Sequence, residues 1–126
     1  MIFDSTDKRF KTPKGAVKAT EYVTFRVFPD DAAEAWLIVT NAYKNTTEHL
    51  LMTPADDCFY ISFRAGEAGL FWYHFTFKTH AGDYYNIKRA GERFSAAVKE
   101  EGYGWQLTVY NNAFKSLPGF ADKVAY

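Results

Sequence analysis

The chain has 126 residues, a formal net charge of zero and a hydrophobic fraction of 48%. This length fits a single domain, and the balance of 15 basic and 15 acidic residues excludes the positive surface that nucleic-acid binding requires. The first nine residues carry several charges and no export signal, and no apolar run is long enough to span a bilayer. We therefore expect a soluble, cytoplasmic domain without nucleic-acid or membrane partners.

Alternating apolar and polar residues predict a series of short strands separated by turns. In chain order, the predicted strands cover residues 16–28, 33–42, 48–52, 59–64, 70–79, 84–87 and 105–110. In the first of them, Val23, Phe25 and Val27 share one face and are expected to face the core. The second is apolar on both faces, which is typical of a central strand.

The strand over 70–79 has the clearest pattern, because its odd residues from Phe71 to Phe77 are all aromatic. They predict a core face, and the even residues from Trp72 to Lys78 predict the opposite face. Turns that contain glycine predict hairpins at 66–69 and 81–83. Seven or so strands at this spacing predict an all-β fold, an antiparallel β-sandwich of about seven to eight strands.

The end of the chain differs from the rest because it has no periodicity. We expect a β-sandwich domain over residues 1–110 and a linker over residues 111–126. The segment 91–104 is charged and mixed, and it fits either a loop or a single helical turn.

No arrangement of residues resembles a catalytic or metal site. The three histidines, His49, His74 and His80, lack the close spacing of metal ligands, and Cys58 is the only cysteine. The adjacent carboxylates at 30–31, 56–57 and 100–101 fall in predicted turns, where solvated charge is the ordinary explanation. We expect no catalytic residue, no metal and no cofactor.

Aromatic side chains outside the main core face offer a different chemistry. The rings of Trp72, Tyr84, Tyr85 and Trp105 are candidates for stacking on a sugar ring, with nearby polar groups bonding its hydroxyls. Packing against a second sheet or another domain is the alternative for each ring. The position of Trp105, in phase with Leu107, favours packing.

Two segments resemble a known enzyme family. The sequence GWQLTVY over 104–110, followed by NNAFK over 111–115, resembles the junction in neopullulanase-like members of the alpha-amylase superfamily, glycoside hydrolase family thirteen. In those enzymes a similar strand closes an N-terminal β-sandwich, and a short linker leads into the catalytic barrel. The segment 69–75 and the paired tyrosines after Gly82 resemble the preceding hairpin, whereas residues 116–120 depart from the family's linker pattern.

This resemblance implies an immunoglobulin-like module, similar to carbohydrate-binding module family thirty-four, from an α-glucan hydrolase acting on starch, pullulan or maltooligosaccharide. The catalytic carboxylates of such enzymes lie in the barrel, which would follow Tyr126, so this fragment is expected to be inactive alone. Its expected partners are its own catalytic barrel, α-glucan or a second copy of itself in a homodimer. The alternative is a purely structural or dimerisation domain that binds no sugar.

Overall fold

The computed structural model describes residues 3–89, 98–99 and 103–111. Eleven strands lie in these residues: β1 (Lys11–Thr12), β2 (Val17–Lys18), β3 (Val23–Val27), β4 (Glu34–Asn41), β5 (Thr46–Leu51), β6 (Thr53–Pro54), β7 (Phe59–Phe63), β8 (Gly69–Lys78), β9 (Tyr84–Arg89), β10 (Val98–Lys99) and β11 (Trp105–Tyr110). Seven of the eleven have five residues or more. The all-β prediction is confirmed.

The strands form two sheets. The smaller sheet has the order β1-β3-β7-β6 and is antiparallel throughout. The larger sheet is built around β8, and one edge of β8 pairs with β4, which in turn pairs with β5. The other edge of β8 is shared, because β11 pairs with residues 69–73 and β9 pairs with residues 75–78. β2 extends this sheet as the parallel neighbour of β11, and β10 pairs with β9.

The core lies between the two sheets and is largely aromatic. Phe25 of the smaller sheet contacts Tyr73 of the larger one with ring centroids 4.7 Å apart, and Phe63 faces Phe71 at 6.3 Å. Phe3 from the N-terminal segment is fully buried in the same cluster. The alternation within β3 and β8 thus places the apolar residues of both strands in one shared interior, which is the arrangement of a β-sandwich.

Two predicted features of the chain path change in the structure. The predicted strand over 16–28 is divided between the sheets, because β2 pairs in the larger sheet and β3 in the smaller one. In the connection between them, the Glu21 carboxylate accepts a hydrogen bond from the Lys18 amide at 2.7 Å. The hairpin predicted at 66–69 is wrong, since β7 pairs with β3 and β6 while β8 lies in the opposite sheet.

The hairpin predicted at 81–83 is confirmed by the antiparallel pairing of β8 with β9. Gly82 occupies its turn with a φ of 96°, a conformation that glycine adopts at little cost. The central position predicted for residues 33–42 is also confirmed, because β4 has a neighbour on both edges. Most of the unassigned segment 91–104, and the predicted linker after residue 111, lie outside the described residues. Within the described part there is no helix with the length and apolarity needed to cross a membrane.

Candidate functional site

A pocket of about 460 Å³ lies beside β11. The wall formed by the larger sheet contains Trp72 of β8, Arg89 of β9, and Trp105, Gln106 and Thr108 of β11. The register of β11 against β8 explains this grouping, since Gln106 pairs directly with Trp72. Alternation along β11 leaves Gln106 and Thr108 exposed and buries Trp105. An indole ring, an amide and a hydroxyl therefore line the same wall.

The remaining wall of the pocket is formed by the N-terminal segment, which contributes Ser5, Thr6, Lys11, Gly15 and Ala16. Phe3 anchors this segment, because its buried ring lies 4.7 Å from that of Trp105. The turn that follows is closed by the Asp4 carboxylate, which accepts hydrogen bonds from the amide and hydroxyl of Thr6 at 2.9 and 2.6 Å. The N-terminal segment thus contributes two hydroxyl residues, Ser5 and Thr6, to the pocket lining.

Lys11 is an unusual component of this wall because its side chain is buried. It is 2% exposed, and in β1 it pairs with Phe25 of β3. Its ammonium group donates hydrogen bonds to the carbonyl oxygens of Pro13 at 2.8 Å and Gly15 at 2.9 Å. Burial lowers the pKa of Lys11 from 10.5 to about 8, because the charged form loses hydration that two neutral carbonyls replace only in part.

Arg89 adds a second basic side chain to the lining. Its Nε donates to the carbonyl oxygen of Gly104 at 3.3 Å, and its guanidinium lies 5.8 Å from the ring centroid of Tyr103. These contacts hold it beside the start of β11. Among the described residues that line the pocket, two are basic and none is acidic.

The four aromatic residues singled out from the sequence are divided by the structure. Trp72, which is 36% exposed, and Trp105, which is 2% exposed, both line the pocket. Tyr84 is 62% exposed and pairs with Lys78, six residues along β8 from Trp72 and therefore about 20 Å away. Neither Tyr84 nor Tyr85 lines the pocket.

The orientations of the remaining candidate rings follow from strand alternation. Tyr85 packs on Phe77 with ring centroids 5.4 Å apart, and its hydroxyl donates to the carbonyl oxygen of Asp31 at 3.2 Å. The buried ring of Trp105 is stacked against Tyr73 at 6.0 Å. The packing interpretation suggested by its phase in the sequence is therefore confirmed, although Trp105 is also one of the residues that line the pocket.

A second group of apolar side chains lies on the face of the larger sheet that points away from the core, at the end of β8 remote from Trp72. The rings of Trp36 and Tyr84 are 6.0 Å apart, and Trp36 pairs with the exposed Leu51. The ammonium of Lys78 lies 5.7 Å from the Tyr84 ring centroid. We call Trp36, Leu51 and Tyr84 the outer aromatic cluster.

The titratable side chains outside the pocket can be described by their clustering and by the shifts in their pKa values. No group of three or more His, Cys, Asp or Glu side chains is placed to hold a metal ion there. Burial raises the pKa of the Cys58 thiol, which opposes formation of a thiolate nucleophile. Burial and nearby basic residues lower the pKa of His74 to about 4, so this side chain is neutral at physiological pH.

Sequence reasoning missed most of the pocket. Lys11 could not be identified from the sequence, because a two-residue strand shows no alternation. Its burial depends on the loop after β1, which brings the carbonyl oxygens of Pro13 and Gly15 to the amine. Gln106 and Thr108 were recognisable as the polar face of the last strand, but their position beside Trp72 depends on a pairing between distant segments. In comparisons with known proteins, no family model, no curated protein and no solved structure matched the chain.

Proposed function

We propose that this chain is the non-catalytic N-terminal accessory module of an α-glucan hydrolase, and that it binds α-glucan in the pocket beside β11. The parentage rests on the resemblance of the segment 104–115 to the junction before the catalytic barrel. The observation that carries the binding is the combination of the partly exposed Trp72 ring with the amide of Gln106 and the hydroxyl of Thr108 in one pocket.

The chemistry of these groups supports a saccharide as the ligand. A sugar presents an apolar C–H face, which stacks on an indole ring, and hydroxyl groups that both donate and accept hydrogen bonds. Gln106 and Thr108 offer donors and acceptors, Ser5 adds a hydroxyl, and the Thr6 hydroxyl can accept a hydrogen bond while it donates to Asp4. A volume of about 460 Å³ lies within the range of small-molecule sites.

Isothermal titration of the full chain with maltoheptaose tests this proposal. We expect binding in the wild type and about tenfold weaker binding in Trp72→Ala, because stacking on the ring accounts for about 1.4 kcal/mol. Tyr84→Ala is the matched control, since it removes an exposed aromatic ring outside the pocket. Heats equal to those of dilution at millimolar maltoheptaose would refute sugar binding, as would equal effects of the two substitutions.

The outer aromatic cluster favours a second candidate, a purely structural role in which this face packs on another copy of the chain. Its apolar side chains lie on one face, and Leu51 and Tyr84 are both more than half exposed. Burying such a patch against a partner is favourable by about 25 cal/mol for each Å² of apolar area. Sedimentation velocity over a range of concentrations should then show a dimer that Trp36→Ala weakens and Trp72→Ala does not. A monomer at all concentrations would exclude this role.

A further inference from the structure

The charge of the pocket lining bears on the kind of saccharide that fits it. Lys11 and Arg89 contribute basic side chains, and no acidic residue lines the pocket among the described residues. Lys11 forms no ion pair with a carboxylate in the described part of the chain. A neutral glucan would leave the lysine charge uncompensated in this site.

The ammonium of Lys11 also has unused hydrogen-bonding capacity. It carries three hydrogens, and two of them are donated to the carbonyl oxygens of Pro13 and Gly15. No third acceptor is found among the described residues. With a residue exposure of 2%, the amine is largely shielded from bulk water, and Lys11 is one of the residues that line the pocket.

From this geometry we propose that the pocket selects a saccharide bearing an anionic substituent, a phosphate ester or a carboxylate, which accepts a hydrogen bond from Lys11 while the sugar ring stacks on Trp72. This inference rests on the proposed function, since it names the class of saccharide bound at the same site. In this arrangement the N-terminal segment supplies the charged amine of Lys11, and β8 supplies the aromatic ring of Trp72.

Physical arguments favour an anion over a neutral group at this position. Hydrogen bonds between an ammonium and an anionic oxygen are about twice as strong as neutral ones. The gain is larger where the cation is already desolvated, because the cost of removing its water was met on folding. Burial lowers the pKa of Lys11 to about 8, and an anionic partner would stabilise the charged form that burial disfavours.

Titration calorimetry with four small probes tests the inference on the wild-type chain. The probes are glucose, glucose 6-phosphate, glucuronic acid and inorganic phosphate. We expect glucose 6-phosphate, glucuronic acid or both to bind at least tenfold more tightly than glucose, and the comparison shows whether phosphate or carboxylate is preferred. We expect inorganic phosphate to bind more weakly than the preferred sugar acid, because it lacks the ring. Equal binding of all three sugars would overturn the inference, and so would phosphate binding as tightly as the sugar acids.

Two lysine variants assign the effect to the buried amine. Lys11→Met should remove the advantage of the anionic sugars, whereas Lys14→Met, an exposed lysine on the same segment outside the pocket, should retain it. If Lys11→Met fails to fold, the wild-type comparison still decides. Maltoheptaose binding without any anionic preference would refute this inference and leave the proposed function standing. Anionic sugar binding without maltoheptaose binding would refute neutral α-glucan as the ligand of this pocket, and it would support saccharide binding there with the anionic preference inferred here.

Discussion

Replacing Lys11 by methionine tests how much the buried ammonium costs the folded state. Methionine keeps a long side chain of similar shape and removes the charge. In the folded chain burial lowers the pKa of Lys11 from 10.5 to about 8, and unfolding returns the amine to water. The folded state therefore disfavours the charged amine, and the free energy of unfolding depends on pH.

The sign of this dependence follows from the two pKa values. Below pH 8 the amine is protonated in both states, and the full cost of burying the charge is present. Between pH 8 and 10.5 the folded amine loses its proton while the unfolded amine keeps it, so the cost disappears and stability rises with pH. From pH 7 to 9.5 the shift in the pKa of Lys11 corresponds to about 2 kcal/mol of stability.

Urea unfolding followed by tryptophan fluorescence at pH 7 and pH 9.5 measures this effect. The quantity to compare is the difference in unfolding free energy between the wild type and Lys11→Met, because contributions from Tyr73 and Cys58, whose pKa values burial raises, then cancel. We expect this difference to shift by about 2 kcal/mol in favour of the wild type at pH 9.5. A difference that stays constant, or the same shift in Lys14→Met, would refute the reasoning.

Three further predictions concern the core and the outer face. Phe75→Ala should lower the free energy of unfolding by about 3 to 5 kcal/mol in urea titrations, because this fully buried ring leaves a cavity between the sheets; a loss below 1 kcal/mol would contradict the described packing. Gly104→Ala should lower the melting temperature, since an added Cβ would lie 2.8 Å from the carbonyl oxygen of Tyr73. Gly69→Ala should lower it less, because its added Cβ meets nothing closer than 3.5 Å, and the reverse order would contradict this geometry. The free energy of unfolding should fall as pH decreases from 6.5 toward 4, because the folded state, in which the pKa of His74 is lowered to about 4, binds the proton less readily than the unfolded state. If His74→Gln shows the same fall in urea titrations over this pH range, His74 is not its cause.

Local alternation was sufficient to predict the strands that form the core. The aromatic phase from Phe71 to Phe77 and the spacing of Val23, Phe25 and Val27 identified the inner faces of both sheets. Such patterns depend on each strand having one buried face, and the signal is contained within a few residues. The hairpin at 81–83 was predictable for the same reason, since its two strands are adjacent in sequence.

Features that depend on distant pairing were not predictable from the sequence. The segment 66–69 has the glycines of a tight turn, yet it connects two sheets, because Phe63 and Phe71 face the same core from opposite sides. The pocket has the same origin, since Gln106 reaches Trp72 only through the pairing of β11 with β8. The burial of Lys11 depends on a loop that returns its carbonyl oxygens to the amine, and no periodicity encodes that contact.

Because two different strands pair with one edge of β8, we expect the two halves of the larger sheet to open separately during local unfolding. β11 pairs with residues 69–73 and β9 pairs with residues 75–78. Separation of β11 would therefore break hydrogen bonds along the first half of β8 and leave the second half paired with β9. Parallel pairing with β2 spans only two residues and adds little resistance. Amide hydrogens of β11 should therefore exchange as a cooperative unit separate from those of the β8–β9 hairpin.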